Sequence, residues 1–178
     1  LQRFNRHSVR VADLRKWGER WQHDAGPVIG YVGRLSRDKG IEDLWRAWQG
    51  LRQEFPKSSL LLVGPVENDS RISNECLSAL REDARVIMTG LQSDVSPFYR
   101  AMDVFVYPSH GTEGFPNAPM EAAAMGIPVI STRVVGCVDA VAENVTGKLV
   151  TPRSPVELEA AIGMYLNNAE LRHRHGMA

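Results

Sequence analysis

The sequence has no run of about 20 consecutive apolar residues, the length a membrane-spanning helix needs. Its apolar stretches are a few residues each, and the opening Leu1-Gln2-Arg3-Phe4 is not the start of a signal peptide. It has no excess of charge, since 21 Lys and Arg balance 21 Asp and Glu among 178 residues. A domain that grips nucleic acid through its phosphates carries a basic surplus, so nucleic acid is not an expected partner. Cys76 and Cys137 are the two cysteines, too few for a disulfide framework or a cysteine metal cage. Reduced thiols in the cytosol are the expectation. The GxGxxG and GxxxxGK[ST] phosphate motifs are absent, as are an Asp-x-Asp pair, internal repeats and low-complexity tracts. What is present is ordinary globular composition, 43% hydrophobic and 24% charged. The length suits one domain of roughly 150 residues, with an added arm.

The charge is unevenly placed. Residues 1–25 carry six basic residues (Arg3, Arg6, Arg10, Arg15, Lys16 and Arg20) against three acidic ones. Residues 26–152 carry 12 basic and 15 acidic residues, and residues 153–178 three of each. The start therefore reads as a charged, solvated arm ahead of the domain at 26–178. A peripheral contact with an anionic membrane surface is the functional alternative.

Apolar runs and helical spacings alternate from Val28 onward. Val28–Val32, Leu60–Val63, Val86–Met88, Val104–Tyr107, Val129–Ile130 and Lys148–Val150 read as six short strands. Ile41, Leu44, Trp45, Trp48, Leu51 and Phe55 fall three or four apart, predicting a helix that Pro56 stops. Ile72, Cys76, Leu77 and Leu80 repeat that spacing. Further helices are predicted over Val95–Met102, capped by Ser96 or Asp94, over Pro119–Met125, and over Pro155–Asn167 as the last, capped by Ser154. Strands that are continuously apolar are covered on both faces. The fold class is therefore α/β, a doubly wound parallel sheet of about six strands with helices on both faces. Ligands bind such sheets beyond the carboxyl ends of the strands. The loops to inspect are Gly33–Gly40, Gly64–Ser70, Gly90–Asp94 and Pro108–Met120.

In the first loop, Gly33 lets backbone approach a ligand, and Arg34 and Lys39 set two cations at the strand tip. Arg grips a phosphate with two donors and Lys adds a point charge, which together suit a diphosphate. A charged surface loop is the plain alternative. The longest loop holds Glu113 and, eight residues on, Glu121 at the opening of a helix. Its free backbone donors are those of Gly114, Phe115, Asn117, Ala118 and Met120, since Pro116 and Pro119 have none. A helix entrance with spare N–H groups is an anion site. A carboxylate in a first helical turn also compensates the dipole. That accounts for Glu121 but not for Glu113, and a carboxylate accepts two hydroxyls of a ribose or hexose well.

Gly33-Arg34-Leu35 with Asp38-Lys39-Gly40, Glu113-Gly-Phe-Pro-Asn-Ala-Pro-Met-Glu121 with Gly126-Ile-Pro128-Val-Ile, and the turn Asn144-Val-Thr-Gly147 occur in register. In this the chain resembles the family 4 (group 1) retaining glycosyltransferases of the GT-B fold, from about Leu1 to its end. The resemblance implies the Rossmann-like, donor-binding half of such an enzyme. It implies that Arg34 and Lys39 bind the donor diphosphate and stabilise its leaving charge. Glu121 would hold the ribose and Glu113 the donor-sugar hydroxyls. The N–H groups of Gly114 and Phe115 would touch the sugar, and those of Asn117 and Ala118 the diphosphate. The base would lie near Gly90, Leu91 and Gln92. The implied donor is a UDP- or GDP-sugar, with no cofactor and no metal. The implied acceptor is a glycan or lipid-linked glycan, bound through an N-terminal domain outside these residues, so that this chain alone transfers sugar poorly. The last helix is expected to be truncated. The implied location is the cytoplasm, peripheral at the inner face of the membrane.

Many family members have Gly where Pro116 stands. Proline fixes φ and removes a donor, so contacts at 116–118 are those of a subtype. A sugar-nucleotide epimerase, a glucan synthase or phosphorylase, and a non-catalytic nucleotide-binding regulatory module are the competing functions. Other residues are weaker candidates. Trp45 and Trp48 are expected in the core, and the early tryptophans Trp17 and Trp21 join them in the cluster of four. His173 and His175 are expected at an exposed helix end, not at a metal. His110 either faces the acceptor or is a plain loop residue. Cys137 has no basic partner nearby and is not an expected nucleophile. Asp103 precedes its strand, at the wrong end of the sheet for catalysis.

Overall fold

The structure is a computed structural model that describes Phe4, Ser8, Arg10, 26–67, 71–111 and 113–178. Six strands alternate with helices: β1 (Val28–Val32), α1 (Ile41–Glu54), β2 (Ser59–Val63), α2 (Asn74–Glu82), β3 (Val86–Met88), α3 (Ser96–Tyr99), β4 (Val104–Tyr107), α4 (Asn117–Ala124), β5 (Val129–Thr132), β6 (Gly147–Val150), α5 (Pro155–Leu166) and α6 (Ala169–Gly176). The strands form one sheet in the order β3-β2-β1-β4-β5-β6, and each adjacent pair is parallel. The expected doubly wound, Rossmann-like sheet is thus present. In this strand order, the right-handed crossovers that parallel strands follow put α1 and α2 on one face and α3 and α4 on the other. The order reverses between β1 and β4, which makes the ends of those two strands the topological switch point.

The sheet is the middle of the core. Every residue of β1 and β4 is buried, and Tyr31, Tyr107 and Phe105 stack in series with ring centroids 6.2 and 6.5 Å apart. α1 turns Ile41, Leu44, Ala47, Trp48 and Leu51 inward, as its spacing predicts. Trp48 is 1% exposed and gives its indole N–H to Asp83 Oδ2 at 2.9 Å, while Trp45 is half-buried against the core. α1 has no side-chain cap. It starts from Gly40 at φ 74, where the α-carbon lies against the Pro108 carbonyl and a β-carbon would overlap it. That contact joins the loop after β1 to the end of β4.

Several helix bounds differ from the sequence expectation. α2 starts at Asn74, because Ser73 accepts the Cys76 N–H at 3.3 Å and so caps it; Ile72 lies ahead of the helix. α3 is four residues long. After it, Ala101 and Met102 bond back three residues, to Phe98 and Tyr99, and the chain tightens into a turn. Asp94 Oδ1 accepts from the N–H and the hydroxyl of Ser96 at 3.0 and 2.8 Å. α4 begins two residues early, at Asn117. Ser154 caps α5 as expected, but α5 is not the last helix. The Asn168 side chain accepts the Leu171 N–H at 2.8 Å and starts α6. His173 is exposed there, but His175 is only 6% exposed and meets the Tyr165 hydroxyl through Nδ1 at 2.8 Å. The expected exposed helix end is therefore corrected for His175, because α6 folds back onto α5.

Of the expected arm, Phe4 is buried and sets its ring edge on Tyr99 at 5.8 Å, while Ser8 and Arg10 are exposed. The rest of the arm, Trp17 and Trp21, and the end of the Gly64–Ser70 loop lie outside the described residues. Among the described residues no helix is long and apolar enough to cross a membrane.

Candidate functional site

β1 and β4 deliver two loops to the switch point, and the sequence candidates converge there. Lys39, at the end of the β1 loop, sets its ammonium 2.5 Å from Glu113 Oε1 in the β4 loop. The Ser109 hydroxyl donates to the same oxygen at 2.5 Å, and the Thr132 hydroxyl, at the end of β5, donates to the Ser109 carbonyl at 2.5 Å. Lys39 also lies 6.0 Å from the Tyr107 ring centroid. Glu113 is therefore held from three strand ends. Its own N–H reaches the Val135 carbonyl at 3.2 Å, and Gly136 at φ 84 presses against the Glu113 and Gly114 carbonyls. Side-chain exposures of 14% for Lys39 and 13% for Glu113 make this a sheltered pair.

Arg34 is different. Its guanidinium is 54% exposed and lies 2.8 Å from both oxygens of Glu67, in the loop after β2. The hydrogen bond from Arg34 and the charge of Glu67 raise the arginine pKa, so it is a permanent cation. The Tyr31 hydroxyl donates to the Arg34 carbonyl at 2.7 Å and anchors the loop beside Gly33. Asp38 keeps its charge: burial works to raise its pKa, but the Ser36 hydrogen bond and the Lys39 charge outweigh it and hold the carboxyl below its ordinary value.

Glu121 lies on the first turns of α4. Its Oε2 accepts the Tyr99 hydroxyl at 3.0 Å, and that hydroxyl also lies 3.2 Å from the Ala118 carbonyl. Burial, then the charge of Glu121, raise the Tyr99 pKa and keep the phenol protonated as a donor. α4 has Pro116 as its cap residue and no side-chain cap. Of the donors expected at this entrance, those of Asn117, Ala118 and Met120 lie on the first turns of this helix. Phe115 is 55% exposed.

At the base-side candidates, the Gly90 carbonyl accepts the Gly64 N–H at 3.0 Å and ties the ends of β2 and β3 together. Leu91 is 79% exposed, and the Gln92 amide donates to the Thr89 carbonyl at 2.9 Å. His110 is held in place from two elements. Its N–H bonds the Asp38 carbonyl at 2.8 Å and its Nε2 meets Asp43 Oδ2 on α1. Cys137 is buried, and burial raises its thiol pKa, which agrees with its exclusion as a nucleophile. Asp103 accepts the Val28 N–H at 2.8 Å, at the amino end of the strands.

Glu67, Tyr99, Ser109 and Asp43 were not among the sequence candidates. Glu67 falls in a strand-end loop and was open to notice. Tyr99 and Asp43 face inward on helices whose apolar spacing carries no sign of a polar role.

A family profile described as glycosyl transferases group 1 matches residues 26–168. The chain is 35% identical over 149 residues to the capsular polysaccharide biosynthesis glycosyltransferase CapM of Staphylococcus aureus, covering 84% of this chain and 39% of that protein. It superposes on Anabaena Alr3699/HepE, solved in complex with UDP and glucose, with a TM-score of 0.79 and 22% identity over 97% of this chain and 48% of that one. It also superposes on the C-terminal domain of a glycosyl transferase group 1 family protein (LpcC) from Francisella tularensis, with a TM-score of 0.78 and 23% identity over 97% and 92%. The chain thus spans about two fifths of the length of the curated relative. The two solved structures are likenesses of fold.

Proposed function

The chain belongs to the group 1 glycosyltransferases, and from that premise we propose that it is the donor-binding half of a retaining enzyme that moves a sugar from a UDP- or GDP-sugar to a glycan or lipid-linked acceptor. The observation that carries this is the meeting of Lys39 and Glu113 at the switch point, flanked by Arg34 and by the α4 entrance. Arg34 and Lys39 bind the donor diphosphate and take up the charge that grows on it as the glycosidic bond breaks. The Asn117 and Ala118 N–H groups add the positive end of α4, and that one turn is the limit of a helix dipole's reach. These groups supply the electrostatic work without a metal. Lys39 and Ser109 both hold Glu113 Oε1, and the carboxylate so fixed accepts a donor-sugar hydroxyl. Gly114 and Phe115 offer N–H groups to the same sugar. Tyr99 occupies Glu121 Oε2, so Oε1 faces the ribose. The base lies over Gly90, Leu91 and Gln92, near the close approach of Gly33 and Gly64.

Arg34 is paired with Glu67, so a diphosphate bound by Arg34 competes with that carboxylate. The acceptor and the second wall that excludes water come from outside this chain, which by itself transfers sugar poorly. The reaction takes place in the cytoplasm, at the inner membrane face.

Calorimetric titration with UDP, GDP and ADP tests the donor site. UDP, the nucleotide of the fold neighbour, is the first expectation. Binding of one diphosphate, weakened about tenfold by Glu121→Ala or Arg34→Ala, supports the proposal. Binding by none, in this chain and in the longer protein, overturns it. In the longer protein, Glu113→Ala separates an enzyme from a regulatory module: transfer is lost while nucleotide binding persists.

A further inference from the structure

Beside the switch point, on the face that carries α1, a cavity of about 710 Å3 opens to solvent. Arg37, Arg46, Arg71 and Arg153 line it, each from a different place: the β1 loop, α1, the β2 loop and the β6 loop. Charge within it is sorted by depth. Glu42 and Asp43 are 13% and 8% exposed, and each already has a partner: Glu42 Oε1 accepts the Ser73 N–H at 2.8 Å, and Asp43 Oδ2 meets His110. Asp38 Oδ1 takes the Ser36 hydroxyl at 2.5 Å. By contrast, the Arg37 and Arg46 side chains are 65% and 56% exposed. They form ion pairs with Glu42 at 3.6 Å and Asp43 at 3.8 Å, longer than a direct hydrogen bond. The acids lie in the floor, each with a shorter partner, and the Arg37 and Arg46 side chains reach toward solvent at the mouth.

The backbone adds a second observation. Three non-glycine residues have φ in the left-handed region among the described residues, and two of them are Arg71 (φ 53) and Arg153 (φ 61). Such a conformation is uncommon for an L-residue with a long side chain, and strain of this kind concentrates at functional sites. Here it occurs at two of the four arginines of one cavity, one in the loop after β2 and one in the loop after β6.

We propose that this cavity is a second anion site that takes a phosphate or diphosphate group, separate from the donor loop at Arg34 and Lys39. Planar guanidinium forks converging from several directions suit a phosphate, whose oxygens accept two parallel bonds from each. The position is specific. Gly111 lines the cavity two residues before Glu113, and Asp38 lines it one residue before Lys39. A group held here lies next to the proposed sugar end of the donor. Its assignment to a phosphate-bearing acceptor rests on the transferase function; the anion site itself does not.

Titration with inorganic pyrophosphate and with glucose 1-phosphate, each in the presence of saturating UDP, tests the site. Both bind, and Arg46→Gln and Arg153→Gln each weaken them about tenfold while UDP affinity stays within about twofold. Retained UDP affinity also shows that the variants fold. Preference for glucose 1-phosphate assigns the site to the phosphate of a sugar acceptor, and preference for pyrophosphate assigns it to a free anion. A parallel titration uses the Arg34→Gln, Lys39→Gln double variant, in which the donor loop is disabled. Pyrophosphate binding that survives there and is lost with Arg46 and Arg153 supports the site even if UDP binds nowhere. Pyrophosphate binding that is lost with Arg34 and Lys39 but unchanged by Arg46→Gln and Arg153→Gln overturns it, as does failure of either phosphate to bind beside UDP.

Discussion

Lys39 and Glu113 are 74 positions apart in the chain, and their side chains meet at 2.5 Å. They meet because β1 and β4 are hydrogen-bonded neighbours although β2 and β3 lie between them in sequence. A pair this sheltered is weakly screened by salt, and losing one member leaves the other's charge largely buried and unpaired. Such a loss costs about 3 kcal/mol or more. Lys39→Met is therefore expected to lower the unfolding free energy by about that amount and to weaken UDP binding. Urea titration and calorimetry read the two effects, and a Lys39→Met chain as stable as the parent would show that the pair adds nothing to the fold.

Tyr99→Phe removes the hydroxyl that Glu121 Oε2 accepts and keeps the ring against Phe4. The expected loss of stability is about 1 kcal/mol. The sharper effect is on ribose recognition, because a Glu121 without its fixed partner samples other rotamers. The ratio of affinities for UDP and 2′-deoxy-UDP is expected to shrink toward one in the variant. An unchanged ratio would remove Tyr99 from the positioning of Glu121.

Gly136→Ala puts a β-carbon into the Gly114 and Glu113 carbonyls at a φ of 84, where alanine is strained as well. The segment cannot give way without moving Glu113, whose N–H it holds through Val135. The expected cost is about 2 kcal/mol, or a fall in Tm of roughly 4–8 °C for a chain of this size. Differential scanning calorimetry measures it. UDP-sugar binding is expected to suffer more than UDP binding, since Glu113 is the carboxylate proposed to hold the sugar.

His175 gives the chain a pH dependence of stability. Burial first, then the positive charges of Arg174 and Lys148, hold its pKa below the ordinary value of about 6.5. The unfolded chain therefore takes up this proton first as pH falls. The stability contributed by the neutral, buried ring is complete above the unfolded pKa and is lost as pH drops below about 6.5 toward the folded value. Denaturation at about pH 5, 6 and 7 is expected to show stability rising with pH, with a flatter rise in His175→Gln. Equal slopes in the two chains would assign the dependence to other groups.

Much of this molecule was legible in its sequence, for local reasons. The six strands are short, apolar and punctuated by glycine or proline, so each announces itself in a window of a few residues. The Ser154 cap and the face of α1 are equally local. The misses are also physical. Asn167 reads as the end of the last helix, yet the next residue, Asn168, starts α6, because its side chain accepts the Leu171 N–H. α3 spans half its expected length because hydrogen bonds to Phe98 and Tyr99 tighten the turn after it. His175 was expected outside because nothing in its neighbours tells that Tyr165 lies over it.

At the site, the residues with chemistry were visible as types in strand-end loops: Arg34, Lys39, Glu113 and Glu121. Their partners were not. Glu67 for Arg34, Tyr99 for Glu121, and Asp43 for His110 come from segments 33, 22 and 67 residues away. The sequence by itself determined which segments become strands and helices, because hydrophobic period, caps and turn residues act within a few positions. Only the tertiary structure decided which charges meet, and that four arginines from four segments line one cavity. Those outcomes depend on the order of strands in the sheet, and that order is set by the packing of the whole chain.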